Sequence, residues 1–580
     1  MKASDYIANF LSKHTEYAYG GQGSSVIHFI DSFKKNKKIN FISGQSEQGS
    51  SLAADAYHRV SGKLGVTLGT SGPGIINFLQ GMACSYFDSV PGLYIAGAPT
   101  INNLRKNKKI RQIGFQEMEV QDMVKPICKY CKIITKIDDL SYELEKAIFI
   151  ANHGRKGPVL LEIPDDLSRM QMPKKIKKFK ASEHFKSKSD LKINQVKKML
   201  EKSKKPLFII GNGVQSSKSL NDVKQLIKKF KIPYACTWAT AHNFSTDDKL
   251  NAGVFGVAAT RFGNFSLQTA DLVIFLGTRL SSQIVGGDLS TFALKAKKIL
   301  VEIDKEEFKN HRLPKIDLKV NCDVKIFLKE LKKTKLKINH SIVNLWIKKI
   351  NFYKSNYKVI SKKNITNKKH VDPYFFFDHM FDVVKKNSII IPDASANLIW
   401  TYQCLKIKKK LNMFTAFNHS PMGYSMAAGI GAFFADKKNT VIAIIGDGSM
   451  PMNIQELETI KNYNCNIIIL VINNKGYSLI KQTQETWLNS NYAGVDKKSG
   501  LSLPDNCKLA KAYGIKSVVI KNHIDVKKKL KKILNSKGPI LVDIMIDPKA
   551  RVKPKIEFGK SLHNMSPLLS KTEIQEILRN

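Results

Sequence analysis

The chain is short of acid. Its 580 residues carry 94 Lys and Arg against 48 Asp and Glu, a formal net charge of +46. Such an excess could serve a nucleic acid or an anionic membrane. The basic residues, however, are mostly Lys, lie in every segment and lack the aromatic interleaving of a nucleic-acid surface. Neither nucleic acid nor membrane is therefore expected as a partner. Long hydrophobic runs are also missing. No apolar stretch reaches the roughly 18 residues needed to span a bilayer. The first ten residues include Asp5 and form no signal-peptide core. The eight cysteines are scattered, which argues against a disulfide framework and fits a reducing, cytoplasmic location. Cys128 and Cys131 form a lone CxxC without a second pair for zinc. Short-period repeats are absent too. What is left is a globular composition, 43% hydrophobic, in a chain too long for one core.

Two short motifs stand out. Gly446, Asp447 and Gly448 end the apolar run Val441 to Ile445, and Asn473 and Asn474 end the run Ile467 to Ile472. Asn474 follows Asp447 by 27 residues. Both runs read as buried parallel strands, and the acidic, amphipathic stretch from Ser449 to Asn466 reads as the crossover helix between them. A βαβ unit brings both strand ends to one sheet edge, where ligands bind in open α/β sheets. A carboxylate and a carboxamide side by side suit Mg²⁺ completed by phosphate oxygens. Gly446 and Gly448 would let backbone approach a diphosphate, and a helix starting at Ser449 would favour an anion.

This spacing resembles the signature of thiamin diphosphate (ThDP) enzymes. An independent set of motifs lies upstream: Ser46-Glu47-Gln48-Gly49, Ala53 to Tyr57, Arg59, Thr70-Ser71-Gly72-Pro73-Gly74, Asp88 to Pro91, Gly114 to Glu117 and Gly157-Pro158-Val159. In order and spacing they resemble the acetolactate synthase family, over about 1–170 and again over 370–550. The fold class expected is α/β, with three doubly wound parallel-sheet domains. These are a pyrimidine-binding domain (1–170), a central Rossmann-like domain (190–345) and a diphosphate- and Mg²⁺-binding domain (370–550). A Lys-rich stretch runs to about Lys188, a charged linker occupies about 350–369, and a tail spans 551–580.

The resemblance assigns roles. Glu47 and Gln116 would be catalytic, Glu47 by hydrogen-bonding the cofactor's pyrimidine N1′ and Gln116 near the thiazolium and the second substrate. Small and apolar neighbours around Glu47 would raise its pKa. Met422 would wedge the cofactor bent, with the backbone of Ser420 and Met422 on the aminopyrimidine edge. Ser395 and Asn397 are further diphosphate candidates. Asp447, Asn474 and Gly476 would hold Mg²⁺, with Gly446, Gly448, Ser449 and Tyr477 lining the cofactor. Gly23, in the Gly20 to Ser24 loop, would offer a backbone N–H to developing oxyanions. FAD is a further candidate cofactor, on Gly211, Gly213, Arg279, Asp304 and Asp323, although a second family arginine is replaced in Arg279 to Gln283.

The activity implied is decarboxylation of a 2-oxo acid such as pyruvate, with transfer of its C2 unit to an acceptor carbonyl. Thr483 stands where the family carries a Trp, which opens room for a larger or more polar acceptor. The segment Tyr477 to Thr483 and the stretch Ser499 to Asp505 resemble relatives associated with surface-glycan synthesis, where the acceptor is a nucleotide-linked keto sugar. A simple 2-oxo acid decarboxylase and a non-catalytic basic binding protein are the alternatives. Because Glu47 and Asp447 lie in different domains, the resemblance implies a homodimer or homotetramer with shared active sites. A regulatory small subunit is left open.

Overall fold

The structure is a computed structural model and describes residues 1–181, 191–312, 314–360 and 369–579. Part of the Lys-rich stretch expected up to Lys188, and of the linker expected over 350–369, lies outside them. The start of that linker is helix: His340–Asn356 buries Val343, Trp346, Ile350 and Tyr353.

Three six-stranded sheets organise the chain, and every strand pair within them is parallel. The first contains β1 (Tyr17–Gly20), β2 (Asn40–Ser43), β3 (Gly65–Gly69), β4 (Gly92–Ala98), β5 (Tyr130–Ile133) and β6 (Pro158–Pro164), in the order β2-β1-β3-β4-β6-β5. The second contains β7 (Pro206–Ile210), β8 (Tyr234–Cys236), β9 (Asn251–Val254), β10 (Leu272–Leu276), β11 (Lys297–Glu302) and β12 (Leu318–Asn321), in the order β12-β11-β10-β7-β8-β9. The third contains β13 (Ile389–Pro392), β14 (Asn412–Met413), β15 (Val441–Gly446), β16 (Ile467–Asn473), β17 (Lys516–Ile520) and β18 (Ile540–Met545), in the order β14-β13-β15-β16-β18-β17. The first and third sheets thus share one topology. The middle sheet has the strand order of dinucleotide-binding folds. The continuous aliphatic runs follow from this: parallel strands covered by helices on both faces are apolar on both sides.

In each outer sheet the order reverses between the first and third strands, and crevices open at such points. The β1/β3 crevice receives the turns at Gly21 and Thr70, and the β13/β15 crevice those at Ser395 and Asp447. These two units are held together by the helix Glu47–Ser61 lying on the helix Tyr424–Ala435, whose apolar residues share one core. A buried polar network locks the contact. Arg59 pairs with Asp55 at 2.7 Å and Asp88 at 3.0 Å and donates to Thr415 O, and Tyr424 Oη donates to Asp55 at 2.6 Å.

The helices touch backbone to backbone at Gly431, where a Cβ would lie 1.8 Å from Ala53 O. Gly431→Ala is therefore expected to destabilise the protein by about 3 kcal/mol, the upper part of the usual overpacking range. Gly429→Ala, where a Cβ would sit 3.3 Å from the movable Ile467 Cδ1, should be tolerated. Thermal melts of the two variants compare them directly, and an unchanged Gly431→Ala melting temperature would count against this packing. Among the described residues, no helix is long and apolar enough to cross a membrane.

Candidate active site

Asp447 and Asn474 follow adjacent parallel strands, β15 and β16, which run in register from Val441↔Ile467 to Gly446↔Ile472. Both side chains are buried, with relative exposures of 4% and 8%. Asp447 Oδ1 accepts from Gly448 N at 3.0 Å and Oδ2 from Gly476 N at 3.1 Å. Burial pushes its carboxyl up to about 7, against the pull of those N–H groups. Asn474 Oδ1 is buried without a hydrogen-bond partner. Its neighbour differs: Asn473 Nδ2 donates to both oxygens of Asp543. One amide of the pair is thus structural, and the other keeps a free oxygen. An orphaned amide oxygen beside a buried carboxylate fits a hard divalent cation that completes its shell with phosphate. A cation there would return the carboxyl to its ionised form.

The surrounding glycines make the cradle. A Cβ on Gly448 would strike the Tyr477 ring at 2.2 Å, and one on Gly476, at φ +149°, would strike Val495 O at 2.1 Å. The Asn397 amide borders Gly446, and Ser395 sits at φ +73° at the head of the helix Ala396–Gln403. The expected crossover helix from Ser449 differs. A short 3₁₀ turn, Met450–Asn453, is followed by the two-turn helix Glu456–Asn462. Ser449 makes no capping bond, so no long helix dipole points at the cradle. The chain breaks there because two side chains are drawn into other contacts. Asn453 Nδ2 donates to Gly423 O at 3.1 Å, and Glu456 accepts from Ser46 N and Oγ.

Met422 is half-buried at the turn before the helix Tyr424–Ala435. Asp393, fully buried, accepts from Gly423 N at 3.0 Å and from Ser425, while Asn453 holds the Gly423 carbonyl. Burial lifts the Asp393 carboxyl to about 7. Asp393 and Asn453 thus fix a turn that sequence spacing did not single them out for. Ser420 adopts φ +51° just ahead of that turn.

Glu47 opens its helix behind the Ser46 cap, whose Oγ accepts from Gly49 N. Its carboxylate is half-buried, less enclosed than its small and apolar neighbours suggest. Asn77 Nδ2 donates to Glu47 Oε2 at 3.0 Å, and Oε1 lies where a Cβ on Gly21 would be only 2.4 Å away. Gly23 faces Thr70 in the same way. Gln116 adopts φ +62° and lays its carbonyl over Gly72. The structure gathers Glu47, Gly23 and Gln116 around the first sheet's crevice, and Asn397, Asp447, Asn474 and Gly476 around the third's. Within one chain the two groups are linked by Glu456 to Ser46 and by Gln48 to Asn453, not by Glu47 itself.

Sequence profiles of three domains match this chain: the N-terminal TPP binding domain, central domain and C-terminal TPP binding domain of thiamine pyrophosphate enzymes, over residues 1–123, 193–331 and 393–544. The acetolactate synthase large subunit of Cyanidium caldarium is 30% identical over 577 residues, covering 96% of this chain and 95% of that one. The chain belongs to the acetolactate synthase family of ThDP enzymes. A second relative, the acetolactate synthase large subunit of Porphyra purpurea, is also 30% identical, over 94% of this chain and 92% of its own. The probable acetolactate synthase large subunit of Methanocaldococcus jannaschii is 29% identical over 100% and 98%. The protein is thus a ThDP-dependent enzyme of the class that transfers C2 units from 2-oxo acids.

The five flavin candidates are otherwise engaged. Gly211 and Gly213 pack against Gly277, Asp304 pairs with Arg155, Asp323 caps the helix Val324–Lys333, and Arg279 donates to Asn418.

Proposed function

We propose that this ThDP enzyme takes pyruvate as donor and joins its C2 unit to an acceptor carbonyl. The observation that carries the cofactor assignment is the free, buried Asn474 oxygen beside Asp447. Asp447, Asn474 and the Gly476 backbone would hold Mg²⁺ and with it a diphosphate, in a cradle that Gly446, Gly448 and Tyr477 line. Met422, fixed by Asp393 and Asn453, supports the bend of the cofactor. Bound there, ThDP would supply a nucleophilic carbon for the donor's carbonyl and a cationic ring to take up the electron pair released with CO₂. Glu47, oriented by Asn77, holds a proton at the pyrimidine N1′. In the net reaction the bond from the donor's carbonyl carbon to its carboxylate breaks and CO₂ leaves. That electron pair forms the new bond to the acceptor's carbonyl carbon, whose oxygen takes up a proton. Gly23 N–H and Gln116 would steady that oxygen.

A nucleotide-linked keto sugar as acceptor is favoured by one observation. Thr483 is exposed on the helix Ser478–Trp487, on the same side as the exposed Ile480 and Trp487, so no indole wall stands at that position. Incubation with ThDP, Mg²⁺ and pyruvate, with and without such acceptors, separates the outcomes by product. Acetolactate alone supports condensation of two 2-oxo acids. A sugar adduct supports the keto-sugar reading. CO₂ without a new carbon–carbon bond would make the protein a decarboxylase.

The free thiols of all eight cysteines support a reducing, cytoplasmic setting. The name large subunit, carried by the relatives, supports a second, regulatory polypeptide as partner. For assembly, we infer a homodimer with shared sites, either alone or as half of a tetramer. Glu47 makes its contact with Asn77 inside its own domain, so domain three of a second chain is left to bring the diphosphate cradle over it. Mixing Glu47→Gln and Asp447→Ala chains should then restore up to about half of wild-type activity per hybrid dimer, because one site carries both lesions and the other neither. No recovery in hybrids proven by mass spectrometry would place each whole site within one chain.

A further inference from the structure

A cavity of about 450 Å³ lies beyond Gln116, at the carboxyl ends of β4, β5 and β6. Its walls include Gly72, Ala98, Pro99 and Gln116, and its floor includes Glu162. Glu162 sits on β6 in register with Ala96 of β4 and Ile133 of β5. Beneath it on the same face are Leu160, Tyr94 and Ala96, part of a small apolar core with Phe78 and Met82. The residue is 6% exposed, and its carboxyl has no hydrogen-bond partner among the described residues.

The other acids of this cavity are differently placed. Glu117 accepts from the N–H groups of Arg105, Ile113 and Gly114, and Glu119 pairs with Arg105 and Lys108. Those pairs fold the loop that roofs the cavity. Glu162 takes no part in them. Its carboxyl opens on the cavity and otherwise meets an apolar core, so an occupant of the cavity is the partner left to it. Burial, reinforced by Glu119 and Glu117, pushes the Glu162 carboxyl up to about 8. At neutral pH it is a carboxylic acid, able both to donate and to accept. Arg105, Lys106, Lys108 and Asp122 from the loop also line the cavity, and the Cys131 thiol of β5 lies close to Glu162.

We propose that this cavity is the acceptor subsite and that Glu162 selects, by a paired donor and acceptor contact, a carbonyl compound bearing several hydroxyl groups. The proposal rests on the C2-transfer reading and adds the class of acceptor. A second, small 2-oxo acid offers one carboxylate, which Arg105, Lys106 and Lys108 of the loop would draw to the roof and away from Glu162. It would also leave much of the volume empty. A polyol offers hydroxyls that satisfy a neutral carboxylic acid. Gln116 lines the cavity and lies over Gly72, two residues before Gly74, where a Cβ would meet Glu47 Oε1 at 3.5 Å, so the cavity adjoins the Glu47 side of the crevice.

The test uses the full-length enzyme with ThDP, Mg²⁺ and pyruvate, and two acceptors of equal chain length, D-erythrose and butanal. Wild type, Glu162→Gln and Glu162→Leu are compared. Glu162→Leu should raise KM for D-erythrose at least about tenfold, the size of one lost buried hydrogen bond. It should leave KM for butanal, and CO₂ release without acceptor, nearly unchanged. Glu162→Gln, which still donates and accepts, should recover most of the erythrose preference. In the wild type that preference should fall as pH rises through about 8, because the donating proton is then lost; in Glu162→Gln it should stay flat. An unchanged erythrose-to-butanal preference in Glu162→Leu overturns the proposal. Saturation-transfer NMR with D-erythrose on cofactor-free protein reads the cavity without turnover. Signal in the wild type that disappears in Glu162→Leu supports the subsite, and its absence from the wild type overturns it. Loss of CO₂ release in the wild type, by contrast, would count against the donor reading alone.

Discussion

Glu47→Gln is expected to leave the chain folded and ThDP bound while turnover falls by a factor on the order of 10² or more, the scale of lost acid–base catalysis. The expectation follows from the local geometry. Glu47 stands at the first turn of its helix and receives one side-chain hydrogen bond, from Asn77. A glutamine keeps the length and an oxygen for Asn77, and it fits the same space beside Gly21. What it lacks is an ionisable group to hold and release a proton at the pyrimidine. ThDP affinity by calorimetry and CO₂ release from pyruvate therefore separate binding from chemistry. Turnover within a few-fold of wild type, with ThDP bound, would remove Glu47 from the catalytic machinery.

Asp447→Ala is expected to abolish Mg²⁺-dependent ThDP binding, because the diphosphate then lacks its charge bridge. The carboxylate also receives the N–H groups of Gly448 and Gly476, so its removal loosens the turn as well. Asn474→Ala separates the two effects, since the Asn474 oxygen has no protein partner to lose. A large fall in Mg²⁺-supported affinity in both variants identifies the metal site. Unchanged ThDP affinity in Asp447→Ala would sink the assignment. A loss in Asp447→Ala with full affinity in Asn474→Ala would mean that the turn, not the cation, was at stake.

The GDG-to-NN unit was legible because its physics is local. Two uninterrupted aliphatic runs can only be strands buried on both faces, and parallel strands joined through a helix must end on the same edge. The structure places Asp447 and Asn474 there. The crossover was less legible. An amphipathic pattern from Ser449 to Asn466 suggests one helix, yet Asn453 and Glu456 turn away to Gly423 and Ser46, and a 3₁₀ turn with a short helix results. Tertiary bonds outweighed the helix pattern because each satisfies a buried polar group. Thr483 likewise reads as a missing wall, but only the structure places it on an exposed helix face beside Ile480 and Trp487.

The sequence by itself determined the class of fold and the family, because both depend on the order and spacing of motifs along the chain. It could not show that Asp393 and Asn453 fix the Met422 turn, that Gly431 lets a helix rest on Ala53, or that Glu162 lies unpaired on a cavity floor. Those facts belong to pairs tens to hundreds of residues apart, such as Glu456 with Ser46. Periodicity tells a residue which face of its own element it occupies. Which surface that face meets is decided only when the sheets and helices pack, and there burial sets both the contacts and the charge state of the groups enclosed.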